Sequence, residues 1–152
     1  VSKTINYKLY FYRELTLDQL YDVLQLRQEV FVVEQDCPYL DADGKDQLSF
    51  HLLGYDDDRN LIAYTRLVPR GISYEDYASI GRVITAQSAR GTGEGIQLMK
   101  KSMAAARQLW PELPIKISAQ AHLATFYRKF GFVPTGEEYL EDDIPHVGMV
   151  VK

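Results

Sequence analysis

Six residues past the middle of the chain, Arg90-Gly91-Thr92-Gly93-Glu94-Gly95, carry the types needed to hold a diphosphate. They stand between a strand pattern and a helix pattern. Glycines there let the main chain come close to a ligand, and a helix start presents unpaired N–H groups at the positive end of its dipole. The competing reading is a plain tight turn. Two other phosphate loops fail on spacing. A P-loop requires Gly-Lys-Ser/Thr, which is absent, and the dinucleotide fingerprint Gly-x-Gly-x-x-Gly differs from Gly91-x-Gly93-x-Gly95. What survives is Arg-x-x-Gly-x-Gly, on Arg90, Gly93 and Gly95.

Other ionisable residues are less specific. Arg27 and Glu34 fall on or near the apolar stripe of Leu20, Leu24 and Phe31, where a charge is either paired inside the fold or lines a cleft. His51 lies on a strand pattern, as a candidate base or as a half-buried histidine with satisfied ring nitrogens. His122 and His146 have no partners at metal-ligand spacing, so no metal is expected. Asp41-Ala42-Asp43-Gly44-Lys45-Asp46 has its glycine at the fourth position and lacks the closing glutamate of a calcium loop. A turn of solvated acids is expected there, and likewise at Asp56-Asp57-Asp58 and Glu141-Asp142-Asp143. Nothing beside Cys37 marks it as a nucleophile.

The elements that position these residues follow from periodicity. Ile5, Tyr7, Leu9 and Phe11 alternate with polar or amphipathic partners, a half-buried strand. Thr16 with Gln19 forms a capping-box pattern opening a helix over about 17–33. A loop over 36–47 follows, then strands over 50–55 and 61–68 joined by an acidic turn. A strand over 78–85 enters the glycine loop, and a helix follows with Ile96, Met99, Met103, Ala106 and Leu109 as its buried stripe, stopped by Pro111. Ile115, Ile117 and Ala119 alternate as a short strand, 121–130 is a brief helix ended by Gly131, and 132–139 and 147–151 supply two last strands. The pattern is a mixed α/β sheet.

Composition narrows the classes. The chain has 152 residues, 17 basic against 21 acidic, a net charge of −4, and 46% hydrophobic residues, which suit one folded domain over 1–152. One cysteine excludes an internal disulfide and favours a reducing, cytoplasmic setting. No apolar run is long enough to span a membrane, and Val1-Ser2-Lys3-Thr4 has no leader pattern. Scattered basic residues argue against a nucleic-acid partner. The terminal strands are compatible with pairing within one chain or in a homodimer.

In this order the motifs resemble the GNAT superfamily of acyl-CoA N-acyltransferases. The strand Ile80-Gly81-Arg82-Val83-Ile84-Thr85 entering the glycine loop is similar to the family's acyl-CoA loop. Ala124-Thr125-Phe126-Tyr127-Arg128-Lys129-Phe130-Gly131-Phe132 is similar to its late helix. Arg27-Gln28-Glu29-Val30-Phe31-Val32-Val33-Glu34-Gln35 followed by Cys37-Pro38-Tyr39 resembles the ElaA-type branch. The resemblance implies a GNAT fold, a mostly antiparallel sheet of about six to seven strands flanked by helices and splayed between the fourth and fifth. It also implies an N-acetyltransferase that moves acetyl from acetyl-CoA directly to a small amine or peptide. Main-chain groups of Val83, Ile84 and Thr85 would hold the pantetheine arm and thioester, and amides of Arg90, Gly91, Thr92, Gly93, Glu94 and Gly95 the pyrophosphate. Tyr127 would give a proton to the leaving thiolate. Gln120 stands where many members carry asparagine, and Gln87 where a proline is common. Arg27 and Glu34 would lie on the acceptor side, and the base falls among Glu34, His51 and carbonyls beside Arg66. The alternatives are a non-catalytic acyl-CoA-binding or sensing module, and a structural domain whose glycine loop only turns.

Overall fold

The computed structural model describes residues 4–152; Val1 to Lys3, within the stretch expected to carry no leader pattern, lie outside them. Strand β1 (Asn6–Phe11) leads into α1 (Leu17–Arg27), whose cap is the expected one: the Thr16 hydroxyl accepts from the Gln19 amide at 3.1 Å and the Gln19 side chain accepts from the Thr16 amide at 2.9 Å. The helix does not run on in α form. Over Gln28–Glu34 it widens into π turns, a form frequent at functional sites.

Next come β2 (Phe50–Tyr55), β3 (Leu61–Val68), β4 (Ala78–Thr85), α2 (Glu94–Leu109), β5 (Ile115–Gln120) and the short α3 (Ala124–Arg128). The chain ends with β6 (Val133–Pro134), β7 (Tyr139–Glu141) and β8 (Ile144–Val151). Among the described residues the sheet therefore has eight strands, in order β1-β2-β3-β4-β5-β8-β6, with β7 also on β8. The added strand arises where solvated acids were expected. Asp142 and Asp143 adopt φ of 50° and 63°, the positive pair that a two-residue hairpin turn requires, so Tyr139–Glu141 folds back on Ile144–His146.

Two irregularities shape the middle of the sheet. All neighbours are antiparallel except β4 and β5, which are parallel and pair only at Ala78–Ile115 and Ser79–Lys116. Beyond Ser79 the two strands diverge. In β4 itself, Gly81 pairs with Arg66 and Ile84 with Tyr64, so Arg82 and Val83 stand together opposite Thr65. That is a bulge, and Arg82 takes a φ of 50°, a strained value for a long side chain.

One core cluster includes Leu67, Ile80, Leu98, Met99, Ile117, Tyr127 and Met149; the second is Val23, Leu26, Leu53, Tyr64 and Ile84. The buried face of α2 is Leu98, Met99, Ser102 and Ala106, rotated from the expected stripe, so that Ile96 is 36% exposed. Ser102 is accommodated because its hydroxyl donates to the Leu98 carbonyl and lies 2.7 Å from the Thr65 hydroxyl.

Candidate active site

The divergence of β4 from β5 opens a cavity of about 130 Å³. Gly81, Arg82 and Val83 of the bulge form one wall, with Ile117, Ser118 and Gln120 of β5 opposite. The π turns contribute Phe31, and α3 contributes Tyr127. The widened turns thus bring an apolar ring to a place that a regular helix continuing from α1 would carry elsewhere.

Tyr127 is 7% exposed, and burial is the single cause that pushes its hydroxyl up to about 12. Among the described residues that hydroxyl has no hydrogen-bond partner. It therefore stays protonated near neutrality and is free to donate into the cavity. Gln120 also faces the cavity, with its amide 3.4 Å from the Gln35 side chain. Val83 lines the space, whereas the Ile84 side chain is buried in the core, so only its main chain is available there.

At the far end of β4 the glycine loop turns into α2. Gly91 and Gly93 both have φ of +80°, and a Cβ at either would meet nothing within 4 Å. The loop's outer side is open main chain at a helix start, as a bound diphosphate requires. Its charged side chains are turned to other work. Arg90 donates to both carboxylate oxygens of Glu34, at 2.8 and 2.7 Å, and to the Thr85 carbonyl at 3.2 Å. The Glu94 carboxylate accepts from the Tyr7 hydroxyl on β1, while Thr92 donates to the Ala89 carbonyl. The Arg90 amide donates to the Gln87 carbonyl at 3.3 Å, so what the loop leaves for an anion is chiefly the amides of Gly91 to Gly95. The diverging strands, the open glycines and the unpartnered Tyr127 hydroxyl together fit an extended acyl-CoA.

Three residues expected to line the acceptor side or to serve as the base are placed differently. Glu34 is tied to Arg90, and that hydrogen bonding holds its carboxyl below the usual range, so it is poorly suited to accept a proton. Arg27 is fully buried rather than cleft-lining. Its Nε donates to Asp41 and its Nη1 to Asp46, each at 2.7 Å. His51 is 1% exposed and away from the cavity, with Nδ1 2.6 Å from the Tyr64 hydroxyl and Nε2 2.9 Å from the Asp46 carbonyl. Burial lowers its pKa, which keeps it neutral between those partners.

The acidic loop expected to be solvated is instead spent on arginines. Arg66 donates to Asp43 and Asp46 at 2.8 Å, and Arg82 donates to Asp41 at 2.8 Å. Arg82 also lies over the Tyr39 ring, 5.8 Å from its centroid. These contacts anchor the side chain whose backbone is strained in the bulge, so the loop stabilises the cavity wall.

One pair in the site was not singled out from sequence. His146 lines the cavity, its Nε2 3.4 Å from a Glu141 carboxylate oxygen and its Nδ1 2.7 Å from the Ile144 carbonyl. Recognising Asp142-Asp143 as a two-residue hairpin turn would have paired His146 with Tyr139 and exposed this arrangement. Cys37 sits at the cavity mouth, its Sγ 3.6 Å from the Asp142 carbonyl. Desolvation, with Asp142, Asp143 and Asp36 nearby, pushes its thiol pKa up, against a nucleophilic role.

Comparison with known proteins agrees with this geometry. Residues 26–152 match the family model described as an acetyltransferase (GNAT) domain. Protein ElaA of Escherichia coli K12 is 48% identical over 138 residues, 90% of this chain and 89% of that protein. The crystal structure of Escherichia coli ElaA superposes with a TM-score of 0.91 at 43% identity, over 98% of this chain and 100% of that one. The crystal structure of an acyl-CoA N-acyltransferase from Pseudomonas aeruginosa superposes with a TM-score of 0.92 at 46% identity, over 97% and 99% of the two chains.

Proposed function

The chain belongs to the GNAT acetyltransferase family, and on that footing we propose that it moves an acetyl group from acetyl-CoA directly to an amine. The observation that carries this reading is the alignment of three features along β4. An open amide-rich helix start stands at one end, the gap to β5 runs alongside, and the gap ends in a cavity that holds an unpartnered tyrosine hydroxyl. The family name supports an acyl donor, and the small cavity favours a short acyl group such as acetyl.

Acetyl-CoA supplies an acyl carbon already activated as a thioester. Main-chain amides from Gly91 to Gly95 hold its pyrophosphate, and the main chain of Val83 to Thr85 lies along the pantetheine arm. A backbone N–H of the bulge polarises the thioester carbonyl and stabilises the negative charge that develops on its oxygen. Tyr127 delivers a proton to the departing sulfur, a contribution of roughly a hundredfold to ten-thousandfold. An alkylammonium with a pKa of about 10.4 must lose a proton before it attacks, so the acceptor side also needs a proton acceptor. A cytoplasmic setting is part of the proposal and rests on the unpaired Cys37.

The test is a thiol-release screen with acetyl-CoA against small amines, amino acids, aminoglycosides and peptides, beside calorimetric titration with acetyl-CoA. Binding with thiol release for at least one amine is expected. Binding without release for any amine would identify a sensing module instead, and absence of binding would leave the glycine loop as a turn.

A further inference from the structure

The proposed reaction leaves one role without a residue, because Glu34 and His51 are both occupied elsewhere. We propose that His146, set between Glu141 and the Ile144 carbonyl, is the catalytic proton acceptor, and that the acceptor is an amine arriving as a cation. This rests on the acetyltransferase reading of the same cavity.

The tautomer follows from the hydrogen bond. The Ile144 carbonyl can only accept, so Nδ1 carries the proton that it donates across 2.7 Å. In the neutral ring Nε2 then carries the lone pair. That nitrogen lies 3.4 Å from Glu141, where a carboxylate stabilises the imidazolium formed by proton uptake. The ring is held flat against Tyr139 at 23°, centroids 6.3 Å apart, and is 7% exposed, so it is oriented before any substrate arrives.

The charges around it select the partner. Glu141 and Asp142 line the cavity, and among the described residues the one lining side chain with a permanent positive charge, Arg82, is spent on Asp41. Tyr139 packs on the ring, Tyr127 faces the same space, and Cys37 stands at the mouth with its thiol protonated. Negative charge therefore meets an incoming ammonium. His146 Nε2 takes one ammonium proton and later passes it to water. The freed nitrogen lone pair forms the bond to the thioester carbonyl carbon as the carbon–sulfur bond breaks. Tyr127 gives its proton to the sulfur and is restored by the second proton leaving that nitrogen.

His146→Gln and His146→Ala are compared with the unaltered chain, using n-butylamine and hydroxylamine as acceptors and acetyl-CoA as donor. Hydroxylamine is already neutral near pH 7.5 and needs no base. For n-butylamine kcat/KM should fall about a hundredfold or more in both variants, while hydroxylamine loses no more than a few-fold. In both variants kcat/KM for n-butylamine should rise about tenfold per pH unit through the neutral range, because only amine already neutral in solution can then attack. Acetyl-CoA affinity by calorimetry should be unchanged within about twofold. Independently of turnover, n-butylammonium should shift the His146 ring proton signals in the NMR spectrum of the unaltered chain.

Equal losses with both amines, weakened acetyl-CoA binding, or ring signals indifferent to n-butylammonium would each overturn the role of His146. Absence of thiol release from the unaltered chain with every amine would instead refute the acetyltransferase reading beneath it.

Discussion

Replacing Tyr127 by phenylalanine separates chemistry from folding more cleanly than any other change in this chain. The ring is buried, the hydroxyl opens on the cavity with a pKa of about 12, and it has no hydrogen-bond partner among the described residues. At pH 8 only about one molecule in ten thousand has lost that proton, so the group is a donor throughout the neutral range. The ring contacts, edge-on to Phe126 at 5.2 Å and to Phe132 at 6.2 Å between centroids, survive in phenylalanine. Removing a hydroxyl that bonds no protein group orphans nothing, and stability should change by less than about 1 kcal/mol. Turnover should fall by about 10² to 10⁴, equal to about 3–5 kcal/mol of transition-state stabilisation. Stopped-flow thiol release gives kcat, calorimetry gives acetyl-CoA affinity, and urea unfolding gives stability. Undiminished kcat with a good acceptor would remove Tyr127 as the proton donor. A parallel loss of stability would show that the hydroxyl is bonded in the fold.

Gly93→Ala should cost about 1–2 kcal/mol of stability, because its φ of +80° disfavours any Cβ although the space around it is open. It should weaken acetyl-CoA by about tenfold or more, read by calorimetry; unaltered affinity would place the diphosphate elsewhere. Arg27→Ala should destabilise by about 3 kcal/mol in urea unfolding, the low end for a broken buried pair, since Asp41 retains Arg82 and Asp46 retains Arg66. Burial alone would raise the carboxyl pKa values of Asp43 and Asp46. Hydrogen bonds from Arg66 to Asp43, and from Arg27 and Arg66 to Asp46, outweigh it and hold both below the usual range. The unfolded chain then binds protons more readily. This contribution to stability should be complete above about pH 5 and be lost as pH falls through about 4 and below. Asp43→Asn should flatten that acid limb, and an unchanged limb would assign it to other groups.

The elements that depend on local pattern were legible in the sequence: the alternation of β1, the Thr16–Gln19 cap, the β2–β3 hairpin and the strand–glycine–helix passage. So was the gap between the fourth and fifth strands, through the resemblance. What escaped depends on partners distant along the chain. Nothing near Arg27 shows that Asp41 and Asp46, 14 and 19 residues on, will neutralise it inside the fold. The same long-range pairing turned the acidic loop from a solvated turn into a brace for Arg82. The π turns after Arg27 and the rotation of α2 that exposes Ile96 are decided by packing, which periodicity does not report. The pairing of His146 with Glu141 is hidden in the sequence, because it forms through a two-residue turn of aspartates instead of the more familiar glycine-containing pair.

The crystal structure of the chain with acetyl-CoA tests the central claim most directly. The account predicts the diphosphate on the amides between Arg90 and Gly95, and the acetyl carbon beside the Arg82–Val83 bulge within reach of the Tyr127 hydroxyl. A coenzyme bound on another face, or a gap between β4 and β5 still closed to the thioester, would contradict it.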